Sequence, residues 1–135
     1  MIAIRNLHKR YGGSTVLKDI SWDVASPGVT AIIGPSGSGK TTLLRLIDLL
    51  EKPTSGAILF DGVDASASEG VRLEMRRRMA LVSQKPVVFN SSVYDNVAYG
   101  LRIRGEERGN LRARVSHALE TVGLSDYEKR RARTL

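Results

Sequence analysis

Val29-Thr30-Ala31-Ile32-Ile33-Gly34-Pro35-Ser36-Gly37-Ser38-Gly39-Lys40-Thr41-Thr42 decides how the rest of the chain is read. Residues 34–41 fit the pattern G-x-x-x-x-G-K-[ST], a phosphate-gripping loop. Each position has a physical job. The glycines let the backbone turn tightly and approach a phosphate closely. Successive N–H groups then converge as an anion nest. The helix that starts near Lys40 adds unpaired N–H groups and the positive end of its dipole. Lys40 would set an ammonium against the β- and γ-phosphates of ATP. Thr41 would offer its hydroxyl to Mg²⁺, which prefers oxygen ligands, and Thr42 would reach the α-phosphate.

The flanks supply the context such a loop needs. Val29–Ile33 is a short, β-branched, almost wholly apolar run, as expected of a strand buried on both faces. Lys40–Leu50 has apolar residues at 43, 44, 46, 47, 49 and 50, predicting a mostly buried helix that Pro53 and Gly56 end. Upstream, Ile2, Ile4 and Leu7 alternate with polar residues before Gly12-Gly13. Val16, Lys18, Ile20, Trp22 and Val24 then share one face as far as the turn Ser26-Pro27-Gly28. These two stretches predict an antiparallel strand pair.

Downstream, Ala57–Phe60 reads as a strand turning at Asp61-Gly62, Glu69–Arg78 as a charged helix, and Met79–Val82 as a second buried strand. Gln84-Lys85-Pro86 leaves that strand as a loop. Ser91/Ser92, with Asp95 following, look like a helix N-cap. That helix is expected to run to about Tyr99 and stop at Gly100. Glu106–Val122 carries apolar residues at 111, 115, 118, 119 and 122, an amphipathic helix capped by Gly123. Asp126–Arg133 is a short charged segment. The order of elements is an α/β pattern with an antiparallel annex.

Composition narrows the classes. The chain has 135 residues, 41% hydrophobic and 26% charged, near the averages for a globular protein. No apolar run approaches a membrane span, and the first ten residues lack the apolar core of a secretory signal. There is no cysteine, so disulfides and thiolate metal sites are excluded. The net charge of +7 is concentrated in Arg72, Arg76, Arg77 and Arg78 and in Arg102–Arg133, where nine basic residues meet five acids. No aromatics interleave with these arginines, which argues against a single-strand stacking platform and for solvated helix faces.

With these residues in hand the chain resembles the first half of an ATP-binding-cassette (ABC) ATPase, over essentially its whole length. Leu44–Gly62 (LRLIDLLEKPTSGAILFDG) is similar to the stretch that follows the phosphate loop in that family. The resemblance implies a P-loop NTPase fold of the ABC type. Residues 1–85 would hold the β ribbon and loop core, and residues 86–135 the start of a helical subdomain. It implies that Tyr11 stacks on adenine and that Val16 touches the base or ribose. Gln84 would be the glutamine that senses the γ-phosphate and contacts Mg²⁺ or the attacking water. Ser83 stands where the family usually has an aromatic. ATP binding thus falls to Tyr11, Val16, Gly34, Pro35, Ser36, Gly37, Ser38, Gly39, Lys40, Thr41 and Thr42. Lys40 and Gln84 are the catalytic candidates, and Thr41 and Gln84 the metal ligands.

The implied partners are transmembrane permease subunits and a second ATPase subunit, paired head to tail at the cytoplasmic face of a membrane. Phe89, Val93, Tyr94, Val97 and Tyr99 are candidates for the permease groove and equally for core. The stretch Ser92–Gly105 is similar to importers of small oxyanions such as phosphate, tungstate or molybdate. The chain ends at Thr134-Leu135, where that family's next signature would open. Its second carboxylate motif, catalytic Glu and switch His would follow, so the expectation is a chain that grips ATP without hydrolysing it alone. Asp61 and Asp64 follow a peripheral strand and His8 and His117 read as ordinary surface or core residues, so no general base is assignable. Two other readings stand beside this one. A soluble ABC-type ATPase acting on nucleic acid or ribosomes would suit the charge, but the compact Thr41–Gln84 interval favours transport, and nucleic acid is not the expected partner. The other is a non-catalytic ATP-binding module.

Overall fold

A computed structural model describes residues 1–24, 27–85 and 87–135. Ser26 of the expected turn and Pro86, expected to open the second domain, lie outside the described residues. The chain divides into two compact units, Met1–Val82 and Ser83–Leu135.

The first unit is built on a long hairpin. Strand β1 (Ile2–Tyr11) pairs antiparallel with β2 (Ser14–Val24), and on its other edge with β3 (Ser55–Phe60), which turns back into β4 (Val63–Asp64). The order across the sheet is β2-β1-β3-β4. Helix α1 (Lys40–Ile47) lays Leu43 and Leu46 against Ile4, Leu7, Leu17 and Ile58 of this sheet. Helix α2 (Glu69–Arg77) begins at Ser68, whose hydroxyl accepts from Val71 N at 3.1 Å, and buries Met75 against Leu49 and Ala65. Arg72 ties α2 to the turn that follows α1 by donating from Nε and Nη2 to the Leu49 carbonyl at 3.1 and 2.6 Å.

The expected single face of β2 is interrupted. Asn6 and Asp19 both have positive φ, 45° and 52°, and the β1–β2 register shifts between Ile4, Leu7 and Lys9. These irregularities turn Leu17 inward and Lys18 outward, before Ile20, Trp22 and Val24 resume the alternation. The two residues face one another: Asn6 Nδ2 donates to Asp19 Oδ1 at 2.9 Å. Asn and Asp are among the few side-chain-bearing residues that accept this backbone region.

Two expected buried strands are not strands. Residues 29–33 and 79–82 form no ladder with any described residue, and Val29, Ile33 and Val82 are 101%, 92% and 90% exposed. Only Ile32 and Met79 reach the neighbouring apolar clusters. The composition of these segments suits burial, but a strand is made by its partners' hydrogen bonds, and all pairing among the described residues is antiparallel and elsewhere. The helix expected over Lys40–Leu50 ends at Ile47 and is amphipathic rather than mostly buried: Leu44 in α1 and Leu50 beyond it are exposed.

In the second unit, α3 (Val93–Ile103) and α4 (Arg108–Thr121) pack through Val93, Ala98, Leu111, Val115 and Leu119. Ser92 caps α3 as expected, accepting from Asp95 N at 3.0 Å. Gly100 does not stop this helix. It sits inside it, with open space where a Cβ would be, and the Asp95–Arg102 ion pair at 2.9 Å spans it. The stop is Gly105, at φ 78°. Short 3₁₀ turns at Ser125–Tyr127 and Ala132–Thr134 occupy the expected charged segment.

Gly56 is the tightest point of the sheet. At φ 85°, its missing Cβ would stand 2.3 Å from the Asn6 carbonyl oxygen and 2.6 Å from that of Arg5. Gly56→Ala is expected to lower stability by about 3 kcal/mol. Gly62→Ala, at φ 84° with nothing within 4 Å, should cost about 1 kcal/mol. Urea denaturation of the two variants measures the difference.

Candidate functional site

The glycine loop leads from the unpaired 29–33 segment into α1. Gly37 and Gly39 have φ of 80° and 88°, on either side of Ser38, and Ser38 N closes a turn on the Pro35 carbonyl at 3.3 Å. This alternation of backbone hand is how successive N–H groups are gathered into an anion nest. Gly39 is also the cap of α1, and its carbonyl accepts the first helical bond, from Leu43 N at 2.8 Å. A side chain at Gly39 would meet Leu17 Cδ2 at 2.8 Å and the Val16 carbonyl at 3.2 Å. The glycine is therefore required twice, by its φ and by the strand that leans on it.

Lys40 curls back across the loop. Its ammonium donates to the carbonyls of Gly34 and Pro35 at 2.8 and 2.7 Å and to Ser38 Oγ at 3.3 Å. Thr41 is exposed and its hydroxyl makes no hydrogen bond among the described residues, while Thr42 is half-buried in the first turn of α1. Ser36 is exposed at the loop's crest. Among the described residues no carboxylate bonds the loop or Lys40, and no cluster of three His, Asp or Glu could hold a metal. The oxygen donors on the loop are hydroxyls and backbone carbonyls, which suits a hard cation held largely by phosphate oxygens rather than an all-protein cage.

Tyr11 ends β1 beside the Gly12-Gly13 turn, and Val16 is the third residue of β2, so the hairpin tip brings both to the side of the loop where Val16 meets Gly39. Tyr11 is 43% exposed. Its hydroxyl donates to Glu51 Oε2. Lys9 Nζ lies 4.8 Å from the centre of its ring and 3.2 Å from Glu51 Oε2. Arg45 Nη1 reaches Glu51 from the other side at 3.6 Å. Lys9 and Glu51 were not among the residues singled out from the sequence. Lys9 had a signal, since it lies two residues before Tyr11 and on the same strand face; Glu51, 40 positions away, had none.

These contacts move two titrations. The Tyr11 bond, then Lys9, hold the Glu51 carboxyl below its ordinary value, and the same carboxylate holds the Tyr11 phenol above its own. Gln84 belongs to the second unit and is exposed, next to a turn in which Ser83 Oγ donates to the Lys85 carbonyl at 3.2 Å.

Residues 17–135 match the ABC transporter family. The chain belongs to it. It is 42% identical over 130 residues to the phosphate import ATP-binding protein PstB of Synechococcus sp. (strain CC9902), covering 93% of this chain and 47% of that protein. It is 39% identical over 130 residues to the Fe(3+) ions import ATP-binding protein FbpC of Escherichia coli (strain K12), covering 96% and 36%. To the sulfate/thiosulfate import ATP-binding protein CysA 2 of Rhizobium meliloti (strain 1021) it is 40% identical over 134 residues, covering 96% and 35%. The chain thus spans a third to a half of the length of these relatives. The structure of cbiO1 from Clostridium perfringens, described as part of the ABC transporter complex cbiONQ, superimposes with a TM-score of 0.87 at 31% identity over 99% of this chain and 55% of that one. The fold is that of an ABC ATPase, present over part of its length.

The Tyr11–Glu51 contact sets a pH window. A carboxyl depressed in the folded state adds stability above its unfolded value and loses it as pH falls through the folded one. A raised phenol adds stability below its unfolded value and loses it as pH rises through the folded one. The stability difference between the wild type and Glu51→Gln should therefore be full at neutral pH and vanish towards both extremes. Urea midpoints across pH measure it.

Proposed function

We propose that this chain is the nucleotide-gripping part of an ABC importer's ATP-binding subunit. The observation that carries the reading is the loop geometry: left-handed glycines at 37 and 39 around Ser38, a cation across the loop, and an aromatic-bearing hairpin against Gly39. In this reading the Gly34–Gly39 backbone donates to the phosphates, and Lys40 exchanges the loop carbonyls for β- and γ-phosphate oxygens, a stronger charge-assisted partner. Thr42 reaches the α-phosphate, Tyr11 stacks on adenine and Val16 borders the base or ribose. Thr41, with Gln84, would hold Mg²⁺, which neutralises phosphate charge. Gln84 is the γ-phosphate sensor.

Import is supported by the relatives' names, each an import ATP-binding protein, and work within a complex by the cbiO1 neighbour described as part of the ABC transporter complex cbiONQ. The subunit would work in a head-to-tail pair, bound to permease subunits at the cytoplasmic membrane face, and convert ATP binding and hydrolysis into import. No helix of the described residues is long and apolar enough to cross a membrane. A small oxyanion, phosphate or tungstate, is the proposed solute, supported by the phosphate and sulfate/thiosulfate relatives. The Fe(3+) relative makes a metal cation the alternative cargo. These 135 residues are expected to bind ATP and not to turn it over by themselves.

Titration calorimetry tests the grip. Lys40→Ala should weaken ATP binding at least about thirtyfold, the loss of a charged hydrogen-bond partner, and wild type should show no Lys40-dependent phosphate release. Wild-type affinity equal to that of Lys40→Ala would refute the reading. For cargo, uptake of labelled phosphate, tungstate and Fe(3+) in cells with and without the gene should show loss of oxyanion uptake alone.

A further inference from the structure

We propose that Glu51 is a positioning residue for the base: it pins the Tyr11 ring against α1, so that one face of the ring is held ready for a purine. The proposal rests on the reading of Tyr11 as the stacking aromatic.

Tyr11 is the last residue of β1, next to two glycines, a place where nothing in the backbone fixes a side chain. Two contacts fix it instead. Its hydroxyl donates to Glu51 Oε2. Lys9 Nζ covers one ring face at 4.8 Å and is itself held, 3.2 Å from Glu51 and donating to the Lys52 carbonyl at 2.8 Å. A ring with a cation on one face has only the other to offer a base. Glu51 is in turn rooted in the loop's own helix: its N–H and that of Leu50 donate to the Arg45 carbonyl at 3.3 and 2.9 Å, and Arg45 Nη1 approaches its carboxylate at 3.6 Å. The stacking surface and the phosphate loop are thereby anchored to one helix. A ring held in place before binding loses less rotamer freedom when the base arrives, and this shows as affinity for the base alone.

The test separates base from phosphate. ATP and inorganic tripolyphosphate, which has no base, are titrated into the 135-residue chain and into Tyr11→Ala, Glu51→Ala and Glu51→Gln, each checked for a wild-type circular dichroism spectrum. Tyr11→Ala should weaken ATP about tenfold, as loss of one base–aromatic stack does. Glu51→Ala should weaken ATP about fivefold, the size of one side chain's ordering. Glu51→Gln, which keeps an acceptor for the phenol, should fall between Glu51→Ala and wild type. Tripolyphosphate affinity should stay within about twofold throughout, because the phosphate loop is untouched. If Tyr11→Ala selectively weakens ATP and Glu51→Ala does not, the positioning role is overturned and the stacking role of Tyr11 stands. Equal weakening of both ligands by Glu51→Ala means a general structural role and also overturns it. If Tyr11→Ala leaves the ratio of the two affinities unchanged, the base reading itself fails and takes the proposal with it.

Discussion

Where Gly39 would carry a Cβ, the side chain of Leu17 and the carbonyl of Val16 already stand, at 2.8 and 3.2 Å. The start of α1 and the tip of the hairpin therefore meet through bare backbone. Much in the first unit depends on that approach. It lets Leu17 join Leu43 and Leu46 in one apolar cluster with Ile4, Leu7 and Ile58. It sets Tyr11 and Val16 beside the loop rather than out in solvent. It also explains why the strand must bulge at Asp19: without the register shift, Leu17 would point away from the helix it fills against.

The loop and its helix were legible because their chemistry is local. Glycine at a left-handed φ, a lysine at the helix start and apolar residues a turn apart are properties of neighbouring positions, and each survives in the fold. The capped start of α3 was legible for the same reason. What failed depended on distant partners. Residues 29–33 and 79–82 have the composition of buried strands, yet a strand exists only with a ladder. Gly100 looked like a stop because a single glycine is weak helix material, but Ser92 below it and the Asp95–Arg102 pair across it carry the helix to Gly105. The bulges at Asn6 and Asp19 were hidden because alternation over so few residues tolerates a slip of one. Glu51 was invisible because its meaning lies in Tyr11, 40 residues earlier.

The second unit has a different economy. Asn96 binds four groups of the preceding segment: Phe89 N donates to its Oδ1 at 2.7 Å, and its Nδ2 donates to Phe89 O, Ser91 Oγ and Ser92 O. Backbone bonds from Val93 N to Arg130 O and from Ala132 N to Ser91 O then close the unit on itself. Val93 is core, with Tyr94 and Val97 packed against the same cluster, while Phe89 and Tyr99 stay exposed as a tilted ring pair, centres 4.4 Å apart and planes at 46°. Of the five residues expected either to line a groove or to fill a core, three join the core cluster and two are exposed.

The two ends of the phosphate loop are held very differently. At Gly39 the backbone is clamped between a helix and a strand. At Gly34 it continues directly into residues 29–33, whose peptide groups have no ladder among the described residues. The loop is clamped through backbone at one end and tied at the other by side chains alone, Lys40 to the Gly34 and Pro35 carbonyls and Ile32 to the core cluster. Any strand that hydrogen-bonded to residues 29–33 would fix the other, and its pairing energy would be felt at Pro35 and Ser36 as stiffness. Sheet formation and phosphate grip are in that sense one variable, joined through a single peptide bond between Ile33 and Gly34.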